Sequence, residues 1–192
     1  MKKVLITGAS SGLGIHLSHK FESKGHEVIR HNGKKQFNLT NSNEVVELAN
    51  MARQQKVNVL INNAAIVCPS LKFESYTDTM IDEMIAVNLR APIMLCSLLL
   101  EQLENIVNIN SMVGLEIKSP RTLYSATKWG LRGFSNSLKM ENKNISILDV
   151  YPTNIKTTPD RQNAMDVHLV VNAIYEAFES KQQELILDGR KQ

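Results

Sequence analysis

Val4-Leu5-Ile6-Thr7-Gly8-Ala9-Ser10-Ser11-Gly12-Leu13-Gly14 decides the reading of the chain: a short apolar run stops at a glycine-rich stretch and continues in a helical pattern. An apolar, β-branched run reads as a buried parallel strand, and Leu13, Leu17 and Phe21 recur at i+4 spacing as one face of the helix behind it. The loop therefore joins a strand end to a helix N-terminus. Glycines there accept positive φ and let a ligand approach the backbone, while unpaired N–H groups and the helix dipole attract an anion such as a pyrophosphate. A tight turn is the competing reading, because the spacing is Gly-x-x-x-Gly-x-Gly rather than G-x-G-x-x-G.

Working outward, 192 residues suit one domain, 1–192, with a sheet buried between two helix layers. The net charge of +3 is spread along the chain with no basic run longer than Lys34-Lys35, so no nucleic-acid partner is expected. Cys68 and Cys96 are isolated, without metal-ligand spacing; buried thiols are expected, and no metal. Met1-Lys2-Lys3 imitates the start of a secretory signal, but the apolar stretch ends at Thr7-Gly8, too short for one. No other stretch reads as able to span a bilayer. A cytoplasmic protein with no membrane partner is the expectation, with the sequons at Asn38 and Asn144 as chance matches.

Strand and helix patterns then alternate. His26 to Arg30 reads as a second strand, Lys35 to Leu39 as a short third, and Asn41 as the cap of a helix carrying Val45, Leu48, Ala49 and Ala52 on one side. Val57 to Asn63 is a fourth strand. After a loop with Pro69 comes a long helix from about Thr77 to Glu101, then a fifth strand from Ile106 to Ser111 and a helix from about Leu123 to Glu141. Ile145 to Tyr151 is a sixth strand stopped by Pro152. Val167, Val170, Val171, Ile174 and Phe178 mark the last long helix before a strand at Glu184 to Leu187. The pattern predicts an α/β doubly wound, mostly parallel sheet of about seven strands with helices on both faces.

In such a sheet ligands bind beyond the carboxyl ends of the strands, near the switch point in strand order. Gly8 to Gly14, Asn62 and Asn63, Ser111, and Pro152 to Thr157 all fall at those ends. Tyr124 and Lys128 lie four apart on one helical face, with Tyr124 13 residues beyond Ser111. In this order the chain resembles the short-chain dehydrogenase/reductase family over nearly its whole length: Thr7-Gly8-x-x-x-Gly12-x-Gly14, Asn62-Asn63-Ala64-Ala65, Asn88, Ser111, Tyr124-Ser125-Ala126-Thr127-Lys128 and the Pro152 to Thr157 turn. The resemblance implies a Rossmann-type oxidoreductase. It implies Tyr124 as general acid/base, Ser111 bonding the substrate oxygen, Asn88 holding a water of a proton relay, and Lys128 binding the nicotinamide ribose and lowering the Tyr124 pKa. For Asn88 the alternative is satisfaction of backbone groups beside a helix break.

A cation about 4 Å from a phenol at effective ε ≈ 20 supplies up to ~4 kcal/mol, roughly three pKa units, which would bring Tyr124 near working pH. The expected cofactor residues are Gly8, Ser10, Ser11, Gly12, Leu13 and Gly14, with Asn62 and Ala64 after the fourth strand, Tyr124 and Lys128 on the helix, and Pro152, Ile155 and Thr157 beyond the sixth strand. Asn38-Leu39 stands where the family usually has an acidic residue; an amide still accepts from the adenine amine. Pro152-Thr153 stands where Pro-Gly is usual. Trp129 and Met112 are pocket or core, unassigned between the two.

NADP(H) is the preferred cofactor, with NAD(H) possible, because Arg30-His31-Asn32-Gly33-Lys34-Lys35 offers no carboxylate after the second strand. Arg30 is the first choice for the 2′-phosphate, ahead of Lys34 and Lys35. The substrate is expected to be a small carbonyl or alcohol compound and the assembly a homodimer or homotetramer. Thr153 to Met165 is short for a substrate-binding region, so an open site is expected, with Lys156 and Arg161 at its rim. Two alternatives stand beside the oxidoreductase: a cofactor-binding regulatory or scaffold protein without turnover, and an epimerase or dehydratase using the cofactor transiently.

Overall fold

In the computed structural model, which describes residues 1–67, 71–157 and 164–191, alternating apolar residues on each strand sort into two layers. Val4, Ile6, Val59, Ile61, Val107 and Ile109 face one side, where they meet Leu13, Leu17, Val170 and Ile174. Leu5, Leu60, Ile106 and Ile147 face the other, against Leu48, Ala49, Leu95 and Leu138. This period-two alternation places helices on both faces of one sheet.

The strands are β1 (Lys3–Ile6), β2 (Glu27–Arg30), β3 (Val59–Asn62), β4 (Asn105–Ile109), β5 (Ser146–Pro152), β6 (Ile155–Lys156), β7 (Met165–Asp166) and β8 (Glu184–Leu187). The helices are α1 (Gly12–Ser23), α2 (Ser42–Gln54), α3 (Asp78–Ile85), α4 (Ala91–Leu99), α5 (Thr122–Glu141) and α6 (Val167–Glu179). The main sheet runs β2-β1-β3-β4-β5-β8, every pairing parallel, and β6 pairs with β7 apart from it. Strand order reverses between β1 and β3, so the loops after those two strands flank the crevice that receives a ligand.

Three expectations change. Lys35 to Leu39 is no strand, and the main sheet has six strands: Gly33 turns the chain at φ +81, Asn38 folds its side-chain oxygen onto Thr40 N (3.1 Å), and the Phe37 carbonyl is taken by His31. The long helix is not uniform. It passes from α3 into a π-turn at Ala86–Arg90 before α4, and Pro92 lacks the N–H that would bond the Asn88 carbonyl in α-helical register. Finally, Asp78–Gln102 is long and apolar enough to cross a membrane, with mean hydropathy 1.6, contrary to the expectation that no such stretch exists. Half of that window is buried inside the protein, and Leu95, Cys96 and Leu99 pack against the α2 side of the sheet. The apolar excess is that of a core helix. Cys68, Pro69 and Arg161 lie outside the described residues.

Candidate active site

The loop after β1 is shaped by close approaches. Gly8 has φ +64, and a Cβ there would stand 2.9 Å from Ala64 Cα; a Cβ on Gly14 would stand 2.2 Å from the Gly8 carbonyl oxygen. Gly12, at φ +55, faces Thr157 across the crevice, with Thr157 Cγ2 3.8 Å from where its Cβ would be. Asn63 fastens the loop to β3: its Nδ2 donates to Thr7 O (2.8 Å) and Gly8 O (3.1 Å), while Thr7 Oγ1 accepts from the N–H groups of Asn63 and Ala64 (both 3.0 Å). Ser10 and Ser11 are exposed, and the N-cap Ser11 makes no side-chain cap, so the first turn of α1 keeps its N–H groups for another acceptor. This cradle fits a dinucleotide pyrophosphate.

His31, buried at the end of β2, braces the same loop. The Gly8 N–H donates to Nδ1 at 3.2 Å, which requires that nitrogen to be unprotonated, and Nε2 lies 2.8 Å from the Phe37 carbonyl, which requires a proton there. The imidazole is therefore neutral, and burial holds its pKa below the ordinary value. Between that depressed pKa and about 6.5 the unfolded chain binds more protons than the folded one, so this stabilisation is complete above pH 6.5 and is lost as pH falls through the folded value. His31→Gln retains a donor and an acceptor without titrating; its Tm should fall less steeply than that of the parent below pH 6.5. Parallel Tm curves for the two proteins in that range would count against the neutral bridge.

At the ends of β4 and β5, Ser111, Tyr124, Lys128, Pro152, Ile155 and Thr157 line one cavity of about 620 Å³, together with Leu13 and Asn63. Asn110 prepares its floor: Oδ1 accepts from Ser111 N (2.9 Å) and Nδ2 donates to the Lys128 carbonyl (3.2 Å), tying the end of β4 to α5. The Ser111 hydroxyl accepts from Val113 N (3.4 Å) and acts on the Tyr124 phenol, lowering its pKa against burial. Lys128 is buried, its Nζ on the Ile109 carbonyl (2.9 Å) and 5.7 Å from the Tyr124 ring centroid. Burial lowers the Lys128 ammonium to about 8.

Burial also raises the Tyr124 phenol above its ordinary value, the Ser111 hydrogen bond and the Arg121 charge offsetting only part of this. That corrects the expected lowering by Lys128. The ammonium lies over the ring and gives one donor to the Ile109 carbonyl, and it is not among the charges that move the phenol.

Other expected residues face elsewhere. Asn62 shares the strand face of Leu60, and its amide is buried on Asn108 Oδ1 (2.9 Å) and Cys96 Sγ (3.6 Å); the neighbour Asn63 turns toward the crevice instead. Burial pushes the Cys96 thiol up to about 12. Asn88 spends its amide on both backbone groups of Ile66 (2.7 and 2.9 Å) and on Thr127 Oγ1 (3.3 Å), joining the loop after β3 to the middle of α5. Both amide atoms thus serve the protein, as in the backbone-satisfying alternative, with Oδ1 accepting one bond of the two it can take. The Asn38 oxygen is taken by Thr40, and Leu39 is buried in the core under α2. Arg30 holds Glu22 at 2.7 Å and Lys34 holds Glu83 at 2.9 Å. Met112 lines the cavity, whereas Trp129 is on the outer face of α5 beneath Arg132.

The C-terminal segment forms a wall that the sequence did not announce. Thr153, in place of the usual glycine, takes the Gly189 N–H on its Oγ1 (3.0 Å), and Arg190 clamps Glu116 with two bonds of 2.8 and 2.9 Å. A Cβ on Gly189 would stand 2.5 Å from Met165 Cγ, so a larger residue there would have to displace that side chain.

A glycine cradle at the switch point and a Ser-Tyr-Lys set beyond the next strands define a dinucleotide-dependent carbonyl or alcohol enzyme. Residues 33–167 match the short chain dehydrogenase family, and the chain belongs to it. The chain is 30% identical over 196 residues to the 3-oxoacyl-[acyl-carrier-protein] reductase of Rickettsia typhi, covering 90% of this chain and 81% of that protein. Among solved structures it resembles a bulky-bulky ketone specific alcohol dehydrogenase from Comamonas testosteroni, with a TM-score of 0.85 and 27% identity over 97% of this chain and 86% of that one. It also shares the fold of a Sphingobium yanoikuyae short-chain dehydrogenase in complex with NADPH, with a TM-score of 0.82 and 23% identity over 97% and 87% of the two chains. The protein is an oxidoreductase acting between CH–OH and C=O groups with NAD(P).

Proposed function

We propose that the protein is an NADP(H)-dependent oxidoreductase interconverting a carbonyl and an alcohol, with Tyr124 exchanging the proton, Ser111 bonding the substrate oxygen and Lys128 holding the nicotinamide ribose. The observation that carries this reading is the convergence of Ser111, Tyr124 and Lys128 on the cavity that the glycine loop borders. The nicotinamide, when bound, supplies or accepts the hydride. A phenol held protonated through the neutral range is matched to donating a proton to a carbonyl oxygen, and Ser111 offers that oxygen a second hydrogen bond. Gly8, Ser10, Ser11, Gly12, Leu13 and Gly14 would hold the pyrophosphate, and Ala64, Pro152, Ile155 and Thr157 would hold the rest of the cofactor. Asn63 positions the loop and Asn88 positions α5.

The preference for NADP(H) rests on the loop after β2, where residues 31–36 carry no carboxylate to accept from a ribose hydroxyl. Arg30 gives one guanidinium nitrogen to Glu22, which leaves other donors of its five for a 2′-phosphate, and Lys35 is exposed further along the same loop. Oxidation of NADPH and NADH with a panel of ketones, aldehydes and quinones tests both points. The kcat/KM for NADPH should exceed that for NADH by about ten-fold or more, the scale of one charge-assisted bond. Equal values refute the preference, and turnover without net loss of NADPH identifies an epimerase or dehydratase.

Thr153 to Met165, the open-site region, is bracketed by the short β6–β7 pairing. The expected setting is the cytoplasm, and the expected assembly a homodimer or homotetramer. Ile85 on α3 and Trp129 on α5 are 42% and 43% exposed on helices that contact each other, and assembly over these helices would cover both. Light scattering at micromolar concentration should give a multiple of 21.6 kDa, and a species of that mass alone refutes assembly.

A further inference from the structure

The ionisable groups lining the cavity do not balance. Glu116 is its acidic member, and that charge is already matched by the two bonds from Arg190, whose remaining donors take Asp188 at 2.7 and 2.9 Å. Lys128 is committed at the cavity floor. That leaves Lys118 and Arg121, both in the wall, with no salt bridge among the described residues. Arg121 is half-buried immediately before α5, and its charge is felt at the Tyr124 phenol. A half-buried guanidinium without a counter-ion, beside a reacting centre and open to the cavity, is matched by an anion from solution.

We propose that Arg121, supported by Lys118, is an anion-binding subsite that directs the enzyme to oxo acids, or the corresponding hydroxy acids, whose carboxylate lies a few bonds from the reacting carbon. The length follows from the placement: Arg121 is the N-cap of α5, three residues before Tyr124, and both line the same cavity, so the anion under Arg121 and the oxygen under Tyr124 belong to one short molecule. The guanidinium offers the carboxylate two parallel donors, whereas Lys118, fully at the surface, supplies a diffuse attraction to the entrance. This inference rests on the carbonyl reductase reading for what happens after binding, though not for the binding itself.

The test pairs 2-oxobutanoate, 4-oxopentanoate and 5-oxohexanoate with their methyl esters, measured with NADPH and NADH on the parent protein, Arg121→Gln, Arg121→Lys and Lys118→Ala. At least one acid should exceed its ester in kcat/KM by about ten-fold or more, a ratio that Arg121→Gln brings near one, Arg121→Lys partly retains and Lys118→Ala lowers about two- to three-fold. Any influence of Arg121 on the Tyr124 proton acts on acid and ester alike and cancels in the ratio. Calorimetric titration of the three acids into the NADP⁺-loaded protein supplies a readout without turnover. Ratios near one in the parent, or ratios and acid binding unmoved by Arg121→Gln, overturn the subsite. If no acid or ester is reduced, the reductase reading fails, and the calorimetry alone decides the subsite: acid binding lost in Arg121→Gln upholds it, and no binding by the parent overturns it.

Discussion

Tyr124→Phe should lower kcat by about 10²- to 10⁴-fold, the usual contribution of a positioned acid or base, while leaving cofactor affinity within about two-fold. The substitution deletes one hydroxyl. The ring is buried among Met84, Val113 and Leu123, and Phe fills the same space beneath Lys128. What is lost is the proposed proton donor, whose phenol the Ser111 hydroxyl also acts on. Lys128→Met should behave differently, raising the Kd for NADPH as well as lowering kcat, because the ammonium is the proposed holder of the ribose and also satisfies the Ile109 carbonyl. In the parent the raised phenol pKa keeps Tyr124 protonated near neutrality, so carbonyl reduction should be nearly level from pH 6 to 8 and alcohol oxidation should climb with pH, since oxidation needs the phenolate. Cofactor fluorescence titration beside steady-state kinetics checks each part, and a Tyr124→Phe enzyme with parental kcat ends the assignment.

The sheet and its helices were legible because the signals are local and periodic. Val4 to Ile6 and Val59 to Ile61 are buried on both faces and therefore apolar throughout, and the glycines after β1 mark a backbone that must approach its neighbours. Ser111, Tyr124 and Lys128 could be named because the order of motifs resembles that of the short-chain dehydrogenases, and the three line one cavity. Which of two adjacent asparagines faces the cofactor was harder. Strand alternation decides it: Asn62 follows Leu60 onto the α4 side and Asn63 turns back to Gly8, a distinction that a motif written as a string of letters does not carry. Lys35 to Leu39 failed for the opposite reason, since side-chain bonds from His31 and Asn38 overrode a weak extended preference. Long-range pairings left no trace in the sequence. Arg30 with Glu22, Arg190 with Glu116 and the Gly189 contact with Thr153 arise only once the strands have brought distant segments together.

One such pairing carries the largest stability effect expected. Asp149, fully buried on β5, receives Asn108 Nδ2 on one oxygen (3.0 Å) and both Ser135 Oγ (2.7 Å) and Lys139 Nζ (2.6 Å) on the other. Lys139 also bonds the Gln183 carbonyl at 2.9 Å, so this one cation ties α5 to the turn before β8. Lys139→Met keeps the aliphatic stem and removes the charge, leaving a carboxylate in the core without its counter-ion. Breaking a buried pair from one side costs about 3–5 kcal/mol, well above the ~0–1 kcal/mol of an exposed pair. For a chain of this length each kcal/mol moves Tm by about 2–4 °C, so a fall of roughly 6–20 °C is expected. Asp149→Asn combined with Lys139→Met should recover part of it, because a neutral amide no longer needs the cation. The network lies further along α5 than Lys128, and none of its residues lines the cavity. Where the variants remain folded, kcat should stay close to that of the parent while Tm drops. A loss below about 1 kcal/mol for Lys139→Met would mean that water already screens this pair as it screens the surface bridges.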